Sequence, residues 1–168
     1  MSQLSISLLG SPQITLDGIP LTIPTSRAMP LIAYLAIIGK AQTRETLASL
    51  LWPDSSHKHA LAALCTTLWR LKSTGLENWI VLDRSEIGLN YHRNIEVDVV
   101  KFKTLLDNCN THGHPYSRIC LFCTPSLTEA IELYRGEFMT GFNLSKPLPF
   151  DDWRMLQSES LETLHLNP

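Results

Sequence analysis

Two amphipathic stretches joined across a proline, from Thr43 to Lys72, constrain this chain more tightly than any other feature of its 168 residues. Thr43 supplies a side-chain oxygen where a helix should begin, and Leu47, Ala48, Leu50 and Leu51 then share one face at helical spacing. Pro53 stops that helix, because a proline pushes the residue before it out of the α region. Asp54, Ser55 and Ser56 each offer a cap to a second helix, whose apolar stripe is Leu61, Leu64, Leu68 and Leu71. Arg70 and Lys72 make its end basic. Such a pair fits a helix-turn-helix that reads duplex DNA, and it fits an ordinary αα-hairpin equally well.

The flanking segments separate these readings. Leu4, Ile6 and Leu8 alternate with Ser5 and Ser7, the period of a half-buried strand. Gln13–Leu16 and Ile19–Ile23 lie on either side of Asp17-Gly18, a dipeptide that accepts the positive φ values of a tight turn. The chain should therefore open with a small antiparallel sheet. A first helix is expected from a cap at Thr25 or Ser26 to about Ile38, with Pro30 in its first turn and Gly39 closing it. Trp79–Leu82 and Ile87–Tyr91 flank Asp83-Arg84-Ser85-Glu86 and predict a hairpin directly after the Ser56–Lys72 helix. A sheet, three helices and a hairpin in this order describe a winged helix-turn-helix, with the third helix at about 56–74, ended by Gly75, and the wing at about 79–91.

The texture changes at residue 97, so residues 1–96 read as one domain and 97–168 as the start of a helical second one. Asp98 is placed to cap a helix bearing Val99, Phe102, Leu105 and Leu106. Cys109–Pro125 is irregular, and Ser126 is placed to cap a helix through Leu127, Ala130, Ile131 and Tyr134. Pro147 and Pro149 precede a last helix with Phe150, Trp153, Leu156, Leu161 and Leu164. Helices joined by turns point to stacked helical hairpins. So few of them seldom bury their own faces, and this part is expected to be truncated or to depend on further helices beyond residue 168. The fold class expected for the whole chain is mainly α with small β-sheets, an α+β arrangement. Trp52, Trp79, Trp153 and Phe102 are expected in the core.

Charge and hydropathy narrow the function classes. The longest apolar run, Leu31–Ile38, is far short of the ~20 residues of a membrane span and too far from the terminus for a signal peptide. No membrane partner is expected, and the chain reads as cytoplasmic, with its four cysteines as thiols. The net charge of −2 does not announce nucleic-acid binding, but residues 1–96 hold eight Lys/Arg against seven Asp/Glu, whereas residues 97–168 hold six against nine. Gly39-Lys40 lacks the rest of a phosphate-binding loop, and neither Gly-x-Ser-x-Gly nor His-Glu-x-x-His occurs. No enzymatic activity, small-molecule substrate or cofactor is expected.

The stretch Cys109-x2-His112-x-His114-x5-Cys120-x2-Cys123 holds ligand types that suit a tetrahedral zinc ion. Leu121 and Phe122, however, make Cys120–Cys123 look like an apolar helical segment, and no second Cys-x2-Cys exists. These thiols are read as buried or incidental, with no metal expected.

With these elements in place, the chain resembles the SARP family of bacterial transcriptional activators, which join an OmpR/PhoB-type winged helix to a bacterial transcriptional activation domain (BTAD). The resemblance is carried by RETLASLLWPD at Arg44–Asp54, ALAALCTTLWRLK at Ala60–Lys72, VDVVKFKTLL at Val97–Leu106, LYRGEFMTGF at Leu133–Phe142 and PFDDW at Pro149–Trp153. It implies binding to double-stranded DNA, recruitment of RNA polymerase, action as a homodimer on direct repeats, and helical hairpins similar to tetratricopeptide repeats. In such proteins the third helix enters the major groove and the wing reaches flanking backbone or minor groove. Carried onto this chain, Arg44, Lys58, Arg70 and Lys72 become phosphate contacts, His59 and Thr66 contacts to a base edge or phosphate, and Arg84 a wing-tip contact. The chain also departs from the family. Leu61, and Ala63-Leu64-Cys65, stand where members commonly carry Arg and Asn-Leu-Arg.

The helical period places His59, Ala62, Ala63, Thr66, Trp69 and Arg70 opposite the leucine stripe. That face is mostly small and poor in the forked side chains that read guanine or adenine. Trp69 is expected to pack under the wing or onto the helical part. The alternative reading is a winged helix that has lost base readout and serves as an interaction or regulatory module of a larger signalling protein.

Overall fold

The elements, in chain order, are β1 (Gln3–Ser7), β2 (Gln13–Leu16), β3 (Ile19–Pro20), α1 (Ala28–Ile38), β4 (Gln42–Thr43), α2 (Arg44–Leu51) and α3 (His57–Leu71). They continue with β5 (Ile80–Leu82), β6 (Glu86–Leu89), β7 (Asn94–Val97), α4 (Asp98–Asn110), α5 (Thr124–Leu133) and α6 (Pro149–Leu166). This computed structural model describes residues 1–115, 118 and 120–166. The architecture is mixed α+β, as the patterning predicts.

Alternation does what it should in β1, where Leu4 and Ile6 are buried and their polar neighbours half-exposed. β1 pairs antiparallel with β2, which turns through Asp17 (φ 52°) and Gly18 (φ 79°) into β3. β3 ends at Pro20 instead of continuing to Ile23, with one more backbone bond beyond it, from Leu21 N–H to the Ile14 carbonyl (2.9 Å). A fourth strand, β7, runs parallel to β1 with Ile6 opposite Val97, giving the order β3-β2-β1-β7.

α1 is apolar around its whole circumference and is buried accordingly, from Ala28 through Ala36 with only Tyr34 half-exposed. It begins after Arg27, later than the expected caps. Thr25 contributes its backbone carbonyl to the Ala28 N–H (3.2 Å) in place of a side-chain cap. Gly39 (φ 71°) closes it, its N–H donating to Leu35. Arg27 then reaches across, donating from Nε to the Leu51 carbonyl (2.7 Å) and lying 5.7 Å from the Trp52 ring.

The helix pair forms as its caps predict. The Thr43 hydroxyl accepts from Thr46 N–H (3.1 Å) and the Ser56 hydroxyl from His59 N–H (3.3 Å). Leu47, Ala48 and Leu51 of α2 and Leu64, Leu68 and Leu71 of α3 are all buried, and the two helices pack together. α3 gives way to a single π-type turn over Lys72–Leu76, with Gly75 at φ 102°. β5 and β6 then form the expected hairpin, and β4 adds to it in the order β4-β6-β5. This part is winged-helix-like.

Asp98 differs from its expected role. Val97 occupies the cap position, and the Asp98 carboxyl reaches back to accept from Leu8 N–H (2.9 and 2.8 Å) and Leu9 N–H (2.8 Å) as well as Val99 N–H (2.8 Å). Burial pushes this carboxyl above its ordinary value, while those N–H groups and Arg135, 3.7 Å away, pull against it. It therefore pins α4 to the exit of β1. The Leu133–Phe142 block closes on the same point. Gly10 N–H donates to the Glu137 carbonyl (3.0 Å), Met139 N–H to Leu8 (2.8 Å) and Thr140 N–H to Gly10 (2.9 Å). A Cβ on Gly136 would meet Gly10 Cα at 3.3 Å, so this close backbone approach favours glycine.

α5 starts at Thr124 with Pro125 in its first turn, ahead of the expected cap Ser126, and packs on α4. α6 opens at Pro149 and returns to the first helices. Trp153 stacks edge-on against Tyr34 (4.9 Å), while Phe150 and Leu161 enter the same buried cluster as Leu4 and Leu31. Trp79 and Phe102 are buried as expected, and Trp52 and Trp153 are half-buried against the core. Among the described residues, no helix is long and apolar enough to cross a membrane.

Candidate nucleic-acid interface

Burying the leucine stripe of α3 fixes what the helix presents outward. His57, Lys58, His59, Ala62, Cys65, Thr66, Trp69 and Arg70 are all exposed, and Ala63 is half-exposed. At about 100° per residue, His59, Ala62, Ala63, Thr66 and Arg70 fall on one narrow face. Lys58, Cys65 and Trp69 form the adjoining stripe. Lys58 and Arg70 lie roughly 18 Å apart along the axis at 1.5 Å per residue. No Asp or Glu occurs anywhere in α3, so no acid on the helix itself offsets these cations, although the chain's net charge is −2. Lys72, half-exposed, adds a further cation about half a turn beyond Arg70.

Each expected contact residue can be placed. Among the described residues Lys58, Arg70, Lys72 and Arg84 make no ion pair, which leaves their charges available. Thr66 donates its hydroxyl back to the Ala62 carbonyl (3.1 Å) and keeps its oxygen as an outward acceptor. His59 stands in the first turn, exposed.

Arg44 has partners within the protein. Its guanidinium donates to the Asp83 carbonyl from Nε (3.2 Å) and Nη2 (2.9 Å) and sits 3.7 Å from the Cys65 sulfur through Nη1. Its backbone N–H donates to Ser85 (2.9 Å). Arg44 thus fastens the hairpin turn and α3 to the start of α2, and is engaged within the protein where a phosphate contact was expected.

Arg84 stands exposed at the hairpin tip as expected, but its neighbours Asp83 and Glu86 are exposed too and outweigh its charge. The Asp83 carboxylate accepts the Arg84 backbone N–H at 2.6 Å. The tip offers one cation in an acidic setting.

Trp69 is a correction: it is 71% exposed and packs neither under the hairpin nor on the helical part. The hairpin is held by β4 and Arg44 and does not close over that stripe. An aromatic face therefore stands beside Arg70 on the outward side of α3. The β4 pairing that places the hairpin was not foreseen, since a two-residue strand is too short to show a period.

The Cys/His stretch also differs from expectation. The segment from Cys120 to Cys123 is a turn, not a helix, with Leu121 and Phe122 each 84% exposed while the Cys123 thiol is buried. The side chains of His112, His114, Cys120 and Cys123 converge.

Neither the known family models nor the curated proteins include a match to this sequence. Among solved structures the chain is similar to Mycobacterium tuberculosis EmbR in complex with a low-affinity phosphopeptide, with a TM-score of 0.72 at 16% identity. The likeness covers 98% of this chain and 44% of that one, so the chain spans less than half the length of the protein whose fold it shares. At that identity the likeness is one of fold.

Proposed function

We propose that this chain is a DNA-binding transcriptional regulator module of the SARP type. In this reading residues 1–96 bind duplex DNA and residues 97–168 supply protein contacts. α3 lies in the major groove, with Lys58, Arg70 and Lys72 on phosphates and His59 and Thr66 toward base edges or phosphates. Arg84 reaches flanking backbone in a lesser role. The observation that carries the proposal is the outward side of α3, which is exposed, cationic at both ends and free of acidic residues. The fold shared with EmbR, a SARP-family regulator, supports it. Ile131, Met155, Leu156 and Leu166 stand exposed on α5 and α6, which supports a contact role for the helical part toward RNA polymerase or a second copy.

A second reading, an interaction module without DNA readout, is favoured by the acidic hairpin tip and by Ala62, Ala63 and Cys65 on the outward side. Fluorescence anisotropy with a labelled duplex from the gene's own upstream region separates the two. The proposal expects saturable binding at low ionic strength, competed by unlabelled duplex. Absence of binding there would leave the second reading in its place.

A further inference from the structure

The connection between α4 and α5, from Thr111 to Cys123, is long for two adjacent packed helices, which are usually joined by about 2–8 residues. Among its described residues the backbone hydrogen bonds are those of isolated turns, such as Arg118 N–H to the Pro115 carbonyl (3.0 Å) and Cys123 N–H to the Cys120 carbonyl (3.1 Å). The structure shows four side chains turned toward one point. His112 Nδ1 lies 3.2 Å from Cys120 Sγ and 3.5 Å from Cys123 Sγ, and His114 Nε2 lies 3.1 Å from Cys123 Sγ. All four ligand atoms lie within 4.8 Å of one another.

Zinc held by sulfur at about 2.3 Å and nitrogen at about 2.0–2.1 Å in a tetrahedron sets neighbouring ligand atoms roughly 3.3–3.8 Å apart. The three shortest observed separations, 3.1, 3.2 and 3.5 Å, lie at or just below that range, and the other pairs lie within 4.8 Å. One further detail suits a metal site. His114 Nδ1 lies 3.3 Å from the Pro115 carbonyl, a contact that places its proton on Nδ1 and leaves Nε2 free to coordinate. The outward positions of Leu121 and Phe122 are the cost of turning both thiols inward.

We propose that His112, His114, Cys120 and Cys123 bind one zinc ion that staples the α4–α5 connection. Two thiolates and two imidazoles form a soft donor set that selects zinc over magnesium or calcium. Four protein ligands leave no open position for water or substrate, so the site is structural. Cys109, buried with its sulfur 3.9 Å from the Cys123 carbonyl, supports the loop from beneath and lies outside the ligand set.

The test is metal analysis of the full chain, produced with zinc supplied and purified without chelator. About one equivalent of zinc per chain is expected, released stoichiometrically by a thiol-reactive mercurial. Cobalt exchanged into the wild-type protein should give thiolate-to-cobalt charge-transfer absorption and the intense visible bands of a tetrahedral site. Cys120→Ser and His114→Ala should each weaken retention at least tenfold. Less than about a tenth of an equivalent in the wild type would overturn the proposal. So would a cobalt spectrum without thiolate bands, or a Cys120–Cys123 disulfide in the purified protein. The cobalt spectrum needs no variant, so misfolding of a mutant does not blunt the test.

Discussion

The outward side of α3 and the loop between α4 and α5 both gather polar side chains, and they do so in opposite senses. On α3 the helix backbone spreads Lys58, His59, Thr66 and Arg70 along a rod, each facing solvent and none meeting another. In the loop, His112, His114, Cys120 and Cys123 face one another across a few ångströms. Side chains that diverge from a rigid element are built to meet an extended external partner of opposite charge. Side chains that converge are built around a point charge inside the protein. The first arrangement folds without its ligand, because helix caps and a leucine stripe specify it. The second leaves donors crowded until an ion sits between them.

This contrast can be overturned at several points. Stripping the zinc should raise amide exchange across Thr111–Cys123 on the order of a hundredfold while leaving α3 unchanged, because only the loop depends on its ion for structure. Mass-spectrometric exchange with and without chelator reads both at once, and equal protection of the loop in the two samples would remove the contrast. Asp98→Ala should destabilise the fold by about 3 kcal/mol in urea denaturation, since it strands the buried N–H groups of Leu8 and Leu9 and frees α4 from β1. A loss below about 1 kcal/mol would show that those donors find other partners.

The α3 side predicts smaller effects. Arg70→Ala should weaken binding to all duplexes alike by about 1 kcal/mol, with stability unchanged because the side chain is exposed. Arg84→Ala should cost less than about 0.5 kcal/mol of binding, given Asp83 and Glu86 beside it. If Arg84 proved the more costly of the two, the hairpin and not α3 would be the principal contact.

Most of the scaffold was readable because its signals are local. Thr43 and Ser56 cap, Pro53 breaks, Asp17-Gly18 turns, and the leucine stripe of α3 says which side is in. The features that were missed depend on distant residues. Asp98 looked like a helix cap because nothing near it in sequence reveals that Leu8 and Leu9 need acceptors. Arg44 looked free because its partner, the Asp83 carbonyl, lies on another element. Trp69 looked like a packing residue by chemistry, yet its place opposite the stripe leaves it in solvent. Leu121 and Phe122 read as a reason to bury the Cys120–Cys123 segment as a helix. A turn that points both thiols inward points those two side chains out, and hydropathy cannot tell these arrangements apart.

Whether α3 meets duplex DNA through its cations is decided by the salt dependence of binding. Three phosphates neutralised by Lys58, Arg70 and Lys72 predict a slope of log Kobs against log salt of about −2.7, at roughly −0.9 per phosphate. Arg70→Ala should make that slope shallower by about 0.9. A slope near zero, or one that Arg70→Ala leaves unchanged, would contradict the account.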